Sequence, residues 1–391
     1  MGVSIDVAWR SLNKYQEELC GDKVEIVKTD GSDIVILADG MGSGVKANIL
    51  ATLTAKILGT MLHEGAAIES CVETIARTLP ICRVRKAAYA TFSILQIFHS
   101  GEAYLAEFDN PSCVFIRDGK IEDYPYQVRE IEGKKIREYR FRVKKNDCFV
   151  LLSDGVVYAG AGTILNMQGW TWEAVAEYTL KCTKQTLSAS RLAVLLSQAC
   201  DELYEERPGD DTTVAVARVI ERRIVNIFTG PPKEKEDDER LMHDFMHSEG
   251  KKVICGGTSS NIAARILGRE VVTHAGSRSH GVPPTASIEG IDLVTEGVMT
   301  LGGCVKLLKK YAGGEFDAEF FEELDADNGA SRLARLLIEE CTELKLFVGT
   351  AVNDAHKSSE LSFDLSMRMN VVEQLIRTAE ELGKTVAAKY Y

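Results

Sequence analysis

Val35-Ile-Leu-Ala-Asp39-Gly40-Met-Gly-Ser-Gly44 joins an apolar run to a carboxylate, a glycine-rich turn and then a helix-forming stretch. Taken alone, Asp39 reads equally as a turn former or helix cap and as a metal ligand or catalyst at a strand end. Phe149-Val-Leu-Leu-Ser-Asp154-Gly155-Val repeats the pattern, and Gly209-Asp210-Asp211-Thr-Thr213-Val-Ala-Val sets two carboxylates just before another strand. Like charges held together raise one another's pKa unless a cation neutralises them. Three acidic strand ends in one domain therefore point to a pair of hard divalent ions. Gly21-Asp22, ahead of a further strand, is a fourth candidate, and its reading as a turn residue stands beside the metal one.

A chain of 391 residues is too long for one ordinary core, and about 150 residues per domain suggests two or three. Hydrophobic content of 45% and charged content of 27% are those of a globular protein. The net charge of −12 argues against nucleic acid or an anionic membrane as main partner. The chain has no run of 18 apolar residues, and Met1-Gly-Val-Ser-Ile-Asp6 lacks a signal-peptide or myristoylation pattern, so a cytoplasmic location is expected. Ten cysteines without any C-x-x-C spacing read as small buried hydrophobes. His243 and His247 share a helical face at a zinc-compatible spacing, but their charged surroundings offer no third ligand.

Strands are expected at 3–9, 23–28 and 33–38, with Thr29-Asp-Gly-Ser32 as a hairpin turn. Val45, Ile49, Leu53, Ile57 and Leu58 recur at helical spacing, and a second helix covers about 66–79. The period then drops to two over 88–98, 103–108, 113–117 and 120–124, an antiparallel meander. Residues 129–145 carry eight Lys and Arg, read as a solvated hairpin in preference to a phosphopeptide-docking patch. Helices near 170–183 and 190–204 precede the Asp210-Asp211 strand. Segregated runs of strands and helices argue for an α+β sandwich with helices covering a mostly antiparallel core.

At 220–240 the texture changes, through the strand 224–228, Thr-Gly-Pro-Pro and the charge run 233–240, which places a boundary near 220. Helices at 235–248, 259–267, 297–311, 329–342 and 366–382 then alternate with strands at 251–255, 270–274, 344–348 and 385–390, the signature of an α/β domain with a mainly parallel sheet.

Asp39-Gly-Met-Gly-Ser-Gly44, Ser153-Asp154-Gly155 and Asp210-Asp211-Thr-Thr213, in that order, resemble the stage II sporulation protein E-type phosphatases, a bacterial branch of the metal-dependent type 2C (PPM) serine/threonine phosphatases. Gly21-Asp22 and the strand from Tyr89 also look like family positions. The resemblance covers residues 1–220 and implies a β-sandwich flanked by helices with two Mn²⁺ or Mg²⁺ ions. By similarity Asp39 would bridge both metals, the Gly40 carbonyl would bind one, and Asp154 and Asp210 would complete the site, with Asp22 contributing. Asp211 is the less certain member of its pair. Oxygen ligands suit these ions, and two of them generate a bridging hydroxide that hydrolyses a phosphoserine or phosphothreonine without a protein nucleophile. The arginine and histidine of eukaryotic relatives have no match here, which leaves Arg83, Arg85 and Lys86 as phosphate contacts on charge alone.

The implied function is signalling: a phosphatase acting on a regulatory phosphoprotein, with residues 221–391 sensing a ligand or docking a partner. The alternative is a catalytically weak, phosphatase-like scaffold or sensor. In 221–391 the sequences Gly256-Gly257-Thr258-Ser259-Ser260-Asn261, Thr295-Glu296-Gly297 and Gly349-Thr-Ala-Val-Asn353-Asp354-Ala-His356 follow strands, where open α/β sheets bind ligands, and Gly-Gly-Thr-Ser-Ser offers N–H groups to a small anion. Ordinary caps and turns are the competing reading.

Overall fold

Strands β1 (Val3–Leu12), β2 (Asp22–Lys28) and β3 (Ser32–Asp39) open the chain, followed by α1 (Gly44–His63) and α2 (Ile68–Thr78). The meander comes next: β4 (Thr91–Phe98), β5 (Glu102–Phe108), β6 (Val114–Arg117), β7 (Lys120–Ile121), β8 (Gln127–Ile131), β9 (Lys134–Arg142) and β10 (Cys148–Leu152). Helices α3 (Asp154–Val157), α4 (Trp172–Thr183) and α5 (Ala189–Leu203) lead to β11 (Thr212–Glu221). This computed structural model describes residues 3–78, 90–131, 133–161, 169–273, 285–351 and 361–391. It divides into two units, Met1–Glu221 and Arg222–Tyr391.

The first unit is an α+β sandwich of two antiparallel sheets, one ordered β2-β3-β4-β5-β9-β8 and the other β1-β11-β10-β6-β7. Strand β3 shows why its sequence is apolar throughout. Its alternate residues Val35 and Leu37 face the core between the sheets, with Leu95, Phe115, Phe149 and Leu151. Ile34, Ile36 and Ala38 point the other way, into the core beneath α1 and α2 with Ala51, Ala55, Leu58 and Ile75. A strand covered on both faces loses the polar half of its alternation. Phe115 and Phe149 stack at 4.4 Å between ring centroids, anchoring the inter-sheet layer.

Helix α1 forms where the apolar spacing places it, with Leu58 of that repeat buried. Its apolar stripe Val45, Ile49 and Leu53 is exposed, while the buried face carries Ala47, Ala51, Ala55 and Gly59. Small residues let the helix approach the sheet closely: a Cβ on Gly59 would lie 3.0 Å from Val27 Cγ2. By length and composition α1 is the described helix that passes for a membrane span, yet its small-residue face is packed on the sheet. The 129–145 region forms the β8–β9 hairpin. Several of its cations meet carboxylates, Arg129 with Glu138 at 2.8 Å and Arg137 with Glu107 at 3.2 Å.

The second unit contains β12 (Ile224–Thr229), α6 (Asp237–His247), β13 (Lys251–Cys255), α7 (Gly257–Leu267), β14 (Val272–Thr273), β15 (Ala286–Ser287) and β16 (Leu293–Thr295). It continues with α8 (Val298–Ala312), α9 (Ala318–Asp325), α10 (Gly329–Glu339), β17 (Glu343–Val348), α11 (Leu361–Glu381) and β18 (Thr385–Tyr390). The sheet order is β14-β15-β16-β13-β12-β17-β18, parallel from β16 through β18 and antiparallel only at the β14–β15–β16 edge. Parallel strands bring their carboxyl ends to one edge, where the loops at Gly230, Gly256, Glu296 and Gly349 emerge. Strict alternation fails twice: β14, β15 and β16 follow one another with no described helix between them, and α8, α9 and α10 all intervene between β16 and β17; α9 is a helix that its short, acidic sequence did not announce.

Candidate metal centre

Both sheets of the sandwich deliver carboxylates at one end. Asp22 opens β2 and Asp39 closes β3, and the two are register partners. On the other sheet Asp154 follows β10 and begins α3, while Asp210 and Asp211 precede β11, whose Val214 pairs with Leu152. The Thr213 N–H donates to Ser153 Oγ at 2.8 Å and the Ser153 N–H to Thr213 O at 3.0 Å, so the β10 and β11 ends are fixed to each other. Lys14, just beyond β1, donates its N–H to Asp211 Oδ1 at 3.0 Å.

Glycines let these ends meet. The Gly40 N–H donates to Gly21 O at 3.0 Å, tying the two turns together. A Cβ on Gly21 would stand 2.6 Å from Asp211 Oδ2, and one on Gly40 would run into the carbonyl oxygen of Ala47 in α1. At Gly155 a Cβ would strike the Asp211 carbonyl, and the Gly155 carbonyl itself accepts from the buried Tyr204 hydroxyl at 2.7 Å. The glycine after each of Asp39 and Asp154 is therefore a packing requirement as well as a turn residue.

Electrostatically the cluster is frustrated. Burial, with the charges of Asp22, Asp154, Asp210 and Asp211, pushes Asp39 up to about 9. Burial pushes Asp22 up to about 7, with Asp211 and Asp154 adding to it and the nearby Thr213 and Ser153 hydroxyls moderating it. Among the described residues, no hydrogen bond of normal geometry reaches either carboxylate oxygen of Asp22, nor Oδ2 of Asp211. Burial also raises Asp154 and Asp211, the latter opposed by the Lys14 and Gly21 N–H groups. Buried, unpaired carboxylates are costly unless protonated or matched by a cation. The all-oxygen donor set suits a hard divalent ion. As placed, no three His, Cys, Asp or Glu side chains among the described residues gather closely enough to hold a metal.

Asp22, Asp39, Asp154, Asp210 and Asp211 lie near enough to feel one another's charge, with Gly40 tied to Gly21 beside them, and the structure separates Asp210 and Asp211 in character. The Asp210 side chain is 46% exposed and lies 3.8 Å from Lys14 Nζ, whereas Asp211 is buried and bonded to backbone. Sequence reasoning passed over Lys14, a cation in a loop after a strand with no local signal to mark it. It also missed Glu17, which accepts from Ser43 Oγ at 3.0 Å and braces the start of α1. Arg83, Arg85 and Lys86 lie outside the described residues, as do Asn353, Asp354 and His356. In the second unit, Gly256 precedes α7, Gly257 to Ser260 form its first turn, and Glu296 is exposed in the link to α8. His243 and His247 stack at 4.0 Å with a His247 Nδ1 to His243 O contact of 2.9 Å, a local helix arrangement.

Residues 29–220 match the family described as Stage II sporulation protein E (SpoIIE), a segment just under half of the 391-residue chain and wholly within the first unit. The stage II sporulation protein E of Priestia megaterium is 23% identical over 209 residues, covering 51% of this chain and 34% of the relative. That of Bacillus subtilis (strain 168) is 24% identical over 192 residues, covering 47% and 22%. The chain therefore spans about a third or less of these relatives' length. A solved structure of the PP2C phosphatase domain and a fragment of the regulatory domain of SpoIIE from Bacillus subtilis aligns at 18% identity and a TM-score of 0.47, over 56% of this chain and 64% of that one.

Proposed function

We propose that this chain, whose residues 29–220 match the stage II sporulation protein E family, hydrolyses phosphoserine or phosphothreonine in a regulatory phosphoprotein with the aid of divalent ions. The observation that carries the reading is the register pair of buried Asp22, both of whose carboxylate oxygens are unpartnered among the described residues, and half-buried Asp39, close enough to Asp154 and Asp210 of the other sheet to feel their charge. In this reading Asp39, Asp154 and Asp210 hold Mn²⁺ or Mg²⁺, with Asp22 and the Gly40 carbonyl contributing. Bound there, the ions would supply the positive charge that activates water and stabilises a phosphoryl transfer. Asp211 keeps the Asp210 loop in place through the Lys14 N–H, and Lys14 Nζ offers a cation to the substrate phosphate at the exposed rim. The second unit serves as the regulatory part, by ligand or by partner.

Hydrolysis of p-nitrophenyl phosphate and of a phosphoserine peptide, with Mn²⁺ or Mg²⁺ and then with excess EDTA, tests this reading. Turnover that requires the ion supports it, and full activity in EDTA ends it. A phosphatase-like scaffold is the rival reading. Absence of turnover with every divalent ion, while phosphopeptide binding persists, would select that rival.

A further inference from the structure

Helices α7 and α8 each start from a glycine at the carboxyl edge of the parallel sheet, Gly256 and Gly297, and among the described residues neither first turn has a side-chain cap. An uncapped start leaves backbone N–H groups free and presents the positive end of the helix dipole. The two starts are neighbours. Strands β13 and β16, which feed them, are paired, the Gly256 N–H donates to Thr295 O at 3.0 Å, and a Cβ on Gly297 would lie 3.5 Å from the Gly256 Cα.

A buried hydroxyl faces the same gap. Ser259 in the first turn of α7 is 1% exposed, and its Oγ has no hydrogen-bond partner among the described residues. A Cβ on Gly256 would stand 3.4 Å from that Oγ and 3.9 Å from the Gly297 Cα, so the space left by the missing side chain is walled by Ser259 and Gly297. Thr300, fully buried in the first turn of α8, likewise has a hydroxyl with no partner among the described residues. Gly257 and Thr258, in the same first turn, are exposed.

We propose that this gap binds a phosphate group, delivered either as inorganic phosphate or as the ester of a small metabolite. The donors are the free N–H groups of the two first turns and the Ser259 hydroxyl. A tetrahedral dianion has enough acceptor oxygens to be reached from two helix starts at once, and paired glycines let it approach the backbone. The exposed Glu296 beside Gly297 adds an opposing charge that solvent and salt screen. This inference stands on the second unit alone and does not depend on the phosphatase reading.

Calorimetric titration of the full chain tests it, using Asp39→Asn in excess EDTA so that the acidic site is disarmed. Inorganic phosphate is one titrant; nucleoside monophosphates and sugar phosphates are the others. Gly257→Pro removes one N–H at the first helical position, where proline is tolerated and where no atom lies within 4 Å of the added Cβ. Ser259→Ala removes the hydroxyl with little change of shape. Saturable binding that either variant weakens about tenfold or more, with the circular dichroism spectrum unchanged, is the expected result. Comparable binding of inorganic phosphate identifies the free ion as sufficient, and binding of esters alone identifies a phosphorylated metabolite. If no phosphate species binds, or if both variants bind as tightly as the parent, the proposal falls.

Discussion

Asp22 and Asp39 are opposed residues of the antiparallel β2–β3 pair, so their side chains leave the sheet on the same face. Two carboxylates so placed cannot both ionise cheaply in a buried setting, and burial is the larger cause of the rise in each, to about 7 and about 9. The site stores repulsion that a divalent ion would relieve.

The first prediction concerns stability without metal. Both groups take a proton more readily when folded than at the ordinary value of 3.8, so the folded state binds more protons across the interval above it. Stability in EDTA is then full at the acid end and falls as pH rises from about 4 through about 7 and on toward 9. Thermal melts across that range should show the fall, on the order of 2–4 °C per kcal/mol for a domain of this size. Mn²⁺ should flatten it, because a bound cation favours the ionised forms. Asp39→Asn should flatten its upper part and raise the melting point at pH 8 in EDTA. A pH-independent melting point in EDTA, or an unchanged slope in the variant, would show that the pair is not frustrated.

Asp210 and Asp211 should separate in kinetics. Asp210→Asn is expected to remove nearly all metal-dependent turnover, because its half-exposed carboxylate, held among the described residues only by a weak ion pair to Lys14 and the Asp211 N–H, stands where it would take a metal. Asp211→Asn keeps an acceptor for the Lys14 N–H and should cost about 10- to 100-fold at most, the range for outer partners of a metal site. Steady-state rates with saturating Mn²⁺ decide, and a more severe loss in Asp211→Asn would reverse the two roles.

Gly40→Ala should destabilise the first unit through one atom. The added Cβ runs into the Ala47 carbonyl oxygen, and either α1 or the Asp39 turn must move. Overpacking of that kind costs about 1–3 kcal/mol or more. Gly31→Ala is the control, since its Cβ meets nothing within 4 Å. Equal denaturation midpoints for the two variants would contradict the packing account.

Much of this architecture was legible because burial writes itself into periodicity. Strand β3 reads as unbroken apolar sequence since both of its faces are covered, and the Asp-Gly steps at 39 and 154 mark where backbone must turn against a neighbour. Helix α1 was legible at 44–63, although only part of its apolar repeat is buried. Its repeating Val45, Ile49 and Leu53 are the exposed face, because close contact with a sheet favours alanine over larger residues. Asp22 looked no more than even with a turn residue, since nothing local reveals that register sets it against Asp39. Lys14 was invisible for the same reason: its neighbour Asp210 is nearly two hundred positions away along the chain.

That distant pairing carries the last prediction. Lys14 Nζ lies 3.8 Å from Asp210 Oδ1, with both side chains substantially exposed, so the ion pair adds only about 0–1 kcal/mol to stability. A cation held weakly by a candidate metal ligand is free to turn to an incoming phosphate, where a charge-assisted hydrogen bond is worth about 1.5–3 kcal/mol. Lys14→Met should therefore leave the melting temperature unchanged and raise KM for a phosphoserine peptide about 10- to 100-fold, with a smaller effect on kcat. Lys14→Arg should restore much of the loss, and added salt should raise KM for the parent more than for Lys14→Met. The backbone N–H that holds Asp211 is untouched by any of these side-chain changes, so a structural role there cannot mimic the result. Should kcat fall with KM unaltered, or the melting temperature drop, Lys14 supports the acidic loop and does not meet the phosphate.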